Sequence, residues 1–200
     1  MTIEVRADQT VHIEGYVNVP GRDSRPLRDS HGVYIEQVTP GTFGRALARG
    51  GPVELRYNHQ RTLGSTGDGT LDLREDAVGL HARASIRDHE LAEKARQGEL
   101  RGWSFGFVAQ ADRWEAGEPR RRYLEDIELR EVSILDRTPA YIATSLEVRG
   151  EDTVLLEYRS CEAEPELRIP PPEPPAEPAP PAGIPVQQAV LEVYRRRRRT

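Results

Sequence analysis

Hydrophobic and polar residues alternate along most of the chain before about residue 150. In "TVHIEGYVNV", one side of the run carries Val11, Ile13, Gly15 and Val17, and the other carries His12, Glu14, Tyr16 and Asn18. A period of two is typical of a half-buried β-strand. "VELRYNH" alternates in the same way and places Val53, Leu55, Tyr57 and His59 on one face. Further strands are predicted in "GTLDLRED", "GLHARASI", "WSFGFVAQADRW" and "RRYLEDIELREVSIL".

Two short helices interrupt this strand pattern. The first is predicted to begin near Thr42, a candidate N-cap, and to stop at Gly50. The second begins at Asp88 and stops at Gly98. Ser, Thr and Asp are favoured at helix N-caps, and Gly is favoured just after a helix end. Many strands with few helices, and without a regular βαβ rhythm, predict a mainly β or α+β fold. We expect an antiparallel, barrel-like core with a few short helices around it.

The C-terminal part of the chain has a different composition. Ten of the 16 prolines lie between Pro165 and Pro185, where Glu, Pro and Ala dominate and no apolar periodicity survives. Such composition is typical of a disordered, extended linker. We therefore predict a folded domain over residues 1–150, a Pro/Glu-rich flexible linker over 151–183 and a short segment over 184–200. That last segment has Val186, Val190, Val193 and Tyr194 at roughly helical spacing and is predicted to be an interaction segment.

Charge and cysteine content restrict the class of protein. The net charge is −5, so the chain lacks the basic surplus that makes nucleic acid the default partner. Arginines 195 to 199 form a basic terminus that suits either a solvated tail or docking to an acidic partner. Cys161 is the single cysteine, so neither an internal disulfide nor a multi-thiolate metal site is expected. No run approaches a membrane span, and the N-terminus lacks a signal-peptide core, so a soluble intracellular protein is expected.

The segment "GWSFGF" contains a Gly-x-Ser-x-Gly pattern centred on Ser104. Its alternation directs Trp103, Phe105 and Phe107 to one side and Gly102, Ser104 and Gly106 to the other. The aromatic side can anchor the strand in a core, while the glycines leave room above the hydroxyl for a substrate backbone. The same small residues would equally allow another element to pack closely, and such matches are common by chance.

The order of residues excludes one interpretation of Ser104. In α/β-hydrolases the catalytic histidine follows the serine, and a helix begins directly after it. Here all five histidines precede Ser104, and "FGFVAQADRW" continues as a strand. A catalytic Ser104 would still need a base, most often a histidine held by a third group. His59 is the best candidate because it ends a strand and leads into a loop.

Three acids of "LEDIELREVSIL" could orient that histidine: Asp126, Glu128 and Glu131. Alternation puts Glu131 on a face with Ile127, Leu129, Ser133 and Leu135, and puts Asp126, Glu128 and Arg130 on the other. A carboxylate among apolar neighbours is costly unless it is paired, for instance with a histidine. Glu131 is thus the favoured acid, although a strand glutamate paired with an arginine fits the spacing equally well.

These segments together resemble the prohead serine proteases of tailed bacteriophages, which are related in fold to the herpesvirus assembly proteases. The likeness runs from about residue 11 to about 146, through "IEGYVNV", "VTPGTFGRAL", "VELRYNHQ", "LGSTGDGTLDLREDAVGLHARASI", "GELRGWSFGFVAQ" and "LREVSILDRTPAY". The family's histidine falls on His59, its serine on Ser104 and its acid on Glu131. The early loop "GRDSRPLRDSHGVYIEQ" and the turn "LDRTPAY" depart from the family pattern.

The resemblance implies a serine endopeptidase that works by acyl transfer without metal or cofactor. Backbone N–H groups of Arg101 and Gly102 are the candidate oxyanion donors. The implied substrates are the scaffold, the capsid-protein extension and the protease itself, cut inside the assembling procapsid in the host cytoplasm. The implied partners are the major capsid protein and scaffold, with self-association as a dimer, and neither nucleic acid nor membrane. The linker and the segment from Ile184 to Thr200 would then tether the protease to scaffold or capsid.

Two alternatives stay open at this point. The same fold could serve a non-catalytic assembly protein that binds scaffold or capsid with a decayed site. A cytosolic serine hydrolase of small esters is also possible, because the residue order excludes only its α/β-hydrolase form.

Overall fold

Thirteen strands and two helices form the described part of the chain. A computed structural model describes residues 1–136, 144–149, 152–162 and 166–168. The strands are β1 (Thr2–Val5), β2 (Thr10–Asn18), β3 (Leu27–Asp29), β4 (Gly32–Val38), β5 (Glu54–Tyr57), β6 (Arg61–Ser65), β7 (Leu71–Glu75), β8 (Leu80–Arg87), β9 (Gly102–Glu115), β10 (Arg120–Leu135), β11 (Thr144–Arg149), β12 (Asp152–Glu162) and β13 (Glu166–Arg168). The helices are α1 (Thr42–Ala48) and α2 (His89–Arg96).

The strands form two sheets. The first has the order β13-β1-β2-β8-β7. The second has the order β11-β12-β9-β10-β4-β3, and β5 joins β10 and carries β6. The mainly β prediction is therefore confirmed. Among the described strands, however, neither sheet closes into a barrel. Most pairs are antiparallel, but β10 runs parallel to both β4 and β5.

One continuous core joins the two sheets and the helices. The first sheet contributes Val11 and Ile13, and the second contributes Leu55, Phe105 and Val132. Phe43 of α1 and Leu91 of α2 are fully buried in the same cluster. Phe105 packs against the rings of Phe43 and Phe107, with centroids 5.3 and 5.4 Å apart. The aromatic side of the Ser104 strand is thus the core side, as its alternation predicted.

The predicted helix limits are largely confirmed, with one correction. Asp88 caps α2, because its side chain accepts a 2.8 Å hydrogen bond from the N–H of Leu91. The N-cap of α1 is Gly41 rather than Thr42, and Gly41 has a left-handed backbone with φ 82°. Thr42 instead begins the helix, and its hydroxyl donates to the main-chain carbonyl of Leu124 at 3.2 Å.

Strands continue beyond the predicted boundary at residue 150. β12 and β13 lie inside the segment assigned to the linker, and β12 pairs with β9 alongside the candidate serine. The proline-rich composition begins only at Pro165, whereas "TVLLEY" before it is apolar enough for a buried strand. The chain divides into a compact unit, Met1–Pro170, and the segment Pro171–Thr200. The latter, including the predicted interaction segment 184–200, lies outside the described residues.

Candidate active site

Ser104 lies on the face of β9 that points away from the aromatic core. Its strand is flanked by β10 and β12, which place Ser133 and Ser160 directly opposite it in register. Ser104 is buried, and only 1 % of the residue is exposed. β9 continues as strand to Glu115, so the turn and helix of a nucleophile elbow do not follow this serine.

His59 reaches the same face by a break in the strand alternation. β5 ends at Tyr57, and Asn58 and His59 both adopt left-handed backbone conformations, with φ 51° and 61°. Asn58 anchors this turn, because its amide donates to Asp136 Oδ1 at 2.8 Å and its carbonyl oxygen accepts from the Asp136 N–H at 3.2 Å. The prediction that His59 continues the Val53–Leu55–Tyr57 face is therefore wrong: those residues are buried in the core, while His59 turns toward the opposite side.

Glu131 is the acid that contacts His59. Its Oε1 lies 2.5 Å from Nδ1 of the imidazole, and the glutamate is 2 % exposed. The Tyr158 ring of β12 packs on the imidazole at a centroid distance of 4.3 Å. Because Nδ1 bonds to the carboxylate, Nε2 is the ring nitrogen that remains to act as a base.

The other two candidate acids have different partners. Asp126 accepts hydrogen bonds from Arg49 at 2.7 and 2.8 Å. Glu128 accepts from Arg130 at 2.7 Å. Of the three acids, the structure brings only Glu131 to the histidine.

A β-bulge, not simple alternation, puts Glu131 on the site face. Leu129 lies opposite the core residue Phe107, whereas Glu131 lies opposite Gly106, and the register shifts between them. Paired residues share a face, so the bulge directs Leu129 and Glu131 to opposite sides of the sheet. The predicted shared face of Ile127, Leu129 and Glu131 is therefore wrong, although it selected the acid that contacts His59.

Gly106 makes room for the acid rather than for a substrate. A Cβ at this position would lie 2.7 Å from Cγ of Glu131 and 2.8 Å from the Tyr158 ring. The expected space above this glycine is thus filled by two side chains of the site.

Two residues that the sequence did not indicate complete the surroundings of Glu131. Arg56 Nη1 lies 3.0 Å from Oε2. Ser133 Oγ donates to Oε1 at 3.1 Å and accepts the His59 N–H at 3.2 Å. The parallel pairing of β5 with β10, which sets Arg56 opposite Ser133, could not be read from alternation alone. Burial lowers the pKa of Arg56, but the hydrogen bond to Glu54 and the charge of Glu131 together raise it above its ordinary value.

The Ser104 hydroxyl has its own partner. It donates a 2.8 Å hydrogen bond to the main-chain carbonyl of Arg159. The Arg159 side chain lies on the other face of the sheet, where it pairs with Glu36 at 2.6 and 2.9 Å.

The two candidate oxyanion donors lie at the start of β9. The Arg101 N–H donates to the Leu135 carbonyl at 2.6 Å, so in this arrangement it belongs to the sheet. Gly102 has a strand partner on each side, Leu135 and Glu162. Their role in oxyanion stabilisation stays a prediction.

Glu131 also lines a cleft of about 750 Å³. Its lining includes the apolar residues Val53, Leu129 and Leu156 and the charged residues Arg56 and Glu131, but neither His59 nor Ser104. Within the described ranges, no group of three or more His, Cys, Asp and Glu side chains could hold a metal ion. None of the described helices is long and apolar enough to cross a membrane.

Comparison with known families decides what kind of protein carries this site. The family model described as caudovirus prohead serine protease matches residues 1–156. The chain belongs to this family. The match includes His59, Ser104 and Glu131 and ends within β12. Searches of curated proteins and of solved structures found no match for this prohead protease.

Proposed function

We propose that this prohead protease cleaves peptide bonds with Ser104 as nucleophile, His59 as general base and Glu131 as the acid that orients it. The observation that carries the proposal is the 2.5 Å contact between His59 Nδ1 and Glu131 Oε1 on the sheet face that bears Ser104. A buried carboxylate on one imidazole nitrogen fixes the tautomer and stabilises the imidazolium that forms during acyl transfer.

The chemistry follows the usual order for acyl transfer. Ser104 Oγ attacks the carbonyl carbon of the scissile peptide, and His59 Nε2 takes the hydroxyl proton. The imidazolium then gives this proton to the leaving amine. The amine departs, and the acyl group stays bonded to Ser104 Oγ as an acyl-enzyme. Water attacks the ester in the second half, again with His59 as base, and releases the acid. Backbone N–H groups stabilise the oxyanion in both halves.

The first step requires a change in one hydrogen bond. Ser104 Oγ now donates to the Arg159 carbonyl. Rotation about the serine Cα–Cβ bond would redirect the hydroxyl toward Nε2 of His59. Such a rotamer change is small, so binding of a substrate strand could drive it.

The proposed substrates are the scaffold or the capsid-protein extension, and the protease itself, within the assembling procapsid. The partners are correspondingly the major capsid protein and the scaffold, and self-association as a dimer stays a prediction. The terminal segment 184–200 is proposed to tether the enzyme to one of these partners.

Co-expression tests this proposal. The full chain is expressed with the major capsid protein and scaffold of the same phage, and cleavage is followed by gel and intact-mass spectrometry. Wild type is expected to cleave, whereas Ser104→Ala and His59→Ala are not. The Glu128→Gln variant is a matched control, because it changes an acid of the same strand that contacts Arg130 instead of His59.

The outcome separates the enzyme from the non-catalytic assembly protein. An assembly protein binds its partners without any cleavage, even as the wild-type chain. Cleavage that persists in Ser104→Ala would contradict the assignment of the nucleophile.

A further inference from the structure

Each oxygen of the Glu131 carboxylate has its own donor besides the histidine. Ser133 Oγ donates to Oε1, the oxygen that also contacts His59, at 3.1 Å. Arg56 Nη1 holds Oε2 at 3.0 Å. A carboxylate that is 2 % exposed requires such donors, because burial without them carries a large desolvation penalty. The two donors also restrict rotation of the carboxylate about its terminal bond.

Ser133 connects the acid to the backbone of the base. The same hydroxyl that donates to Glu131 accepts the His59 N–H at 3.2 Å. His59 has φ 61°, a conformation that residues other than glycine adopt only when their surroundings hold them there. Ser133 is fully buried, so removal of its hydroxyl leaves the His59 N–H and Glu131 Oε1 without this partner.

Arg56 adds a positive charge to the same carboxylate. Its Nε donates to Glu54 at 2.7 Å. Both residues lie on β5, the strand that leads into the turn carrying His59. Arg56 thus supplies a charged donor to the carboxylate oxygen that does not contact the histidine. The charged and titratable groups in contact with the pair or with Arg56 are Glu54 of β5 and Tyr158 of β12, whereas Glu128 and Arg130 of β10 pair with each other.

We propose that Ser133 and Arg56 are positioning residues of the protease. Ser133 sets the distance between the acid and the histidine backbone, and Arg56 fixes the second carboxylate oxygen. Neither residue contacts the scissile bond. The inference rests on the proposed function, because it assigns roles within the same triad.

A fluorophosphonate probe tests the proposal without a known substrate. It phosphonylates an activated serine: Oγ bonds to phosphorus, fluoride leaves, and the general base takes the serine proton. The second-order labelling rate of the full chain is measured between pH 5 and pH 9 for wild type, Ser104→Ala, Ser133→Ala, Arg56→Met and Arg56→Lys. Arg130→Met is the matched control, because Arg130 is 30 % exposed beside 26 % for Arg56 and pairs with Glu128 outside the triad. Thermal melting reports whether each variant is folded at the assay temperature.

Both variants are expected to label more slowly than wild type. Ser133→Ala lowers the plateau rate by roughly 10- to 100-fold, as expected for a misplaced base. Arg56→Met lowers the plateau rate by a similar factor, because Oε2 loses its charged donor and the carboxylate is free to rotate. Arg56→Lys, which keeps a cationic donor, restores most of the rate. Arg130→Met labels at the wild-type rate.

The controls distinguish failure of the proposed function from failure of the positioning roles alone. Equal labelling of wild type and Ser104→Ala would overturn the proposed function and this inference with it. Labelling that depends on Ser104 but is unchanged in folded Ser133→Ala and Arg56→Met would overturn the inference alone. A loss of rate in folded Arg56→Met that Arg56→Lys does not relieve would overturn the role of Arg56.

Discussion

The Ser104 hydroxyl and the Arg159 main-chain carbonyl are joined by a 2.8 Å hydrogen bond across β9 and β12. This bond links the candidate nucleophile to a strand whose opposite face is held by buried charges. The Arg159 side chain is paired with Glu36 and Glu157, and Arg122 joins the same two acids. We refer to these four residues as the buried ion cluster. The position of the Arg159 carbonyl therefore depends on a charge network on the far side of the sheet.

The identity of the acid is tested by three matched substitutions. Glu131→Gln is expected to lower cleavage of capsid or scaffold protein by roughly 10³- to 10⁴-fold, because the amide no longer stabilises the imidazolium. Asp126→Asn and Glu128→Gln are expected to retain near wild-type activity, since their partners are Arg49 and Arg130. Initial rates of cleavage give the comparison. Loss of activity in either control but not in Glu131→Gln would assign the acid elsewhere.

Gly106→Ala tests the close packing at the site. The added methyl group would lie 2.7 Å from Glu131 Cγ and 2.8 Å from the Tyr158 ring, so both side chains must shift. We expect a loss of about 1–3 kcal/mol in the free energy of unfolding, together with reduced activity. Urea unfolding and cleavage rates measure the two effects. Gly117→Ala is the control, because its nearest contact is 3.3 Å away in the β9–β10 turn. Equal stability of the two variants would contradict the packing argument.

The buried ion cluster is expected to contribute strongly to the stability of β12. Glu36 is 3 % exposed and accepts from Nε and Nη2 of Arg159, at 2.6 and 2.9 Å. Glu36→Gln leaves a buried guanidinium without its full charge partner, which typically costs about 3–5 kcal/mol in the free energy of unfolding. Glu128→Gln, which breaks a more exposed pair, is expected to change it far less. Chemical denaturation at neutral pH measures the loss of unfolding free energy in both variants. Equal losses in Glu36→Gln and Glu128→Gln would contradict a strong contribution of the buried ion cluster.

Asp136 makes the stability of the histidine turn depend on acid pH. Burial opposes ionisation of this carboxyl, but hydrogen bonds from Tyr57, Lys94 and Asn58 outweigh it and lower the pKa of Asp136 to about 2. Because the pKa of Asp136 is lower in the folded state than its ordinary value of 3.8, the ionised carboxyl stabilises the fold at pH values above 3.8. This contribution is lost as the pH falls toward 2. The difference in unfolding free energy between wild type and Asp136→Asn should therefore shrink from pH 4 to pH 2. A difference that stays constant over this range would contradict the shift.

Alternation predicted the parts of the site that lie on regular strands. It assigned Trp103, Phe105 and Phe107 to the core and Ser104 to the other face of β9, because that strand is uninterrupted from Gly102. The chain order of serine and histidines was enough to reject a nucleophile elbow. The position of His59 at the end of a strand, and then the family resemblance, both indicated the histidine that the structure places against Glu131.

Alternation predicted the wrong strand face where the backbone departs from a regular strand. Two left-handed residues, Asn58 and His59, reverse the side to which the histidine points. A bulge does the same between Leu129 and Glu131. Such departures are set by tertiary pairing, and local alternation carries no signal for them. For the same reason Arg56 and Ser133, which meet through parallel pairing of distant strands, were not indicated.

The central claim is that Ser104 is a nucleophile activated by His59, and adduct mapping tests it most directly. The full-length chain is treated with a fluorophosphonate, digested and analysed by tandem mass spectrometry. The account predicts a single phosphonyl group on the Ser104 Oγ in wild type, and none in Ser104→Ala or His59→Ala. An adduct on Ser133 or another serine, or an unmodified Ser104 in a chain that still cleaves its capsid substrate, would contradict it.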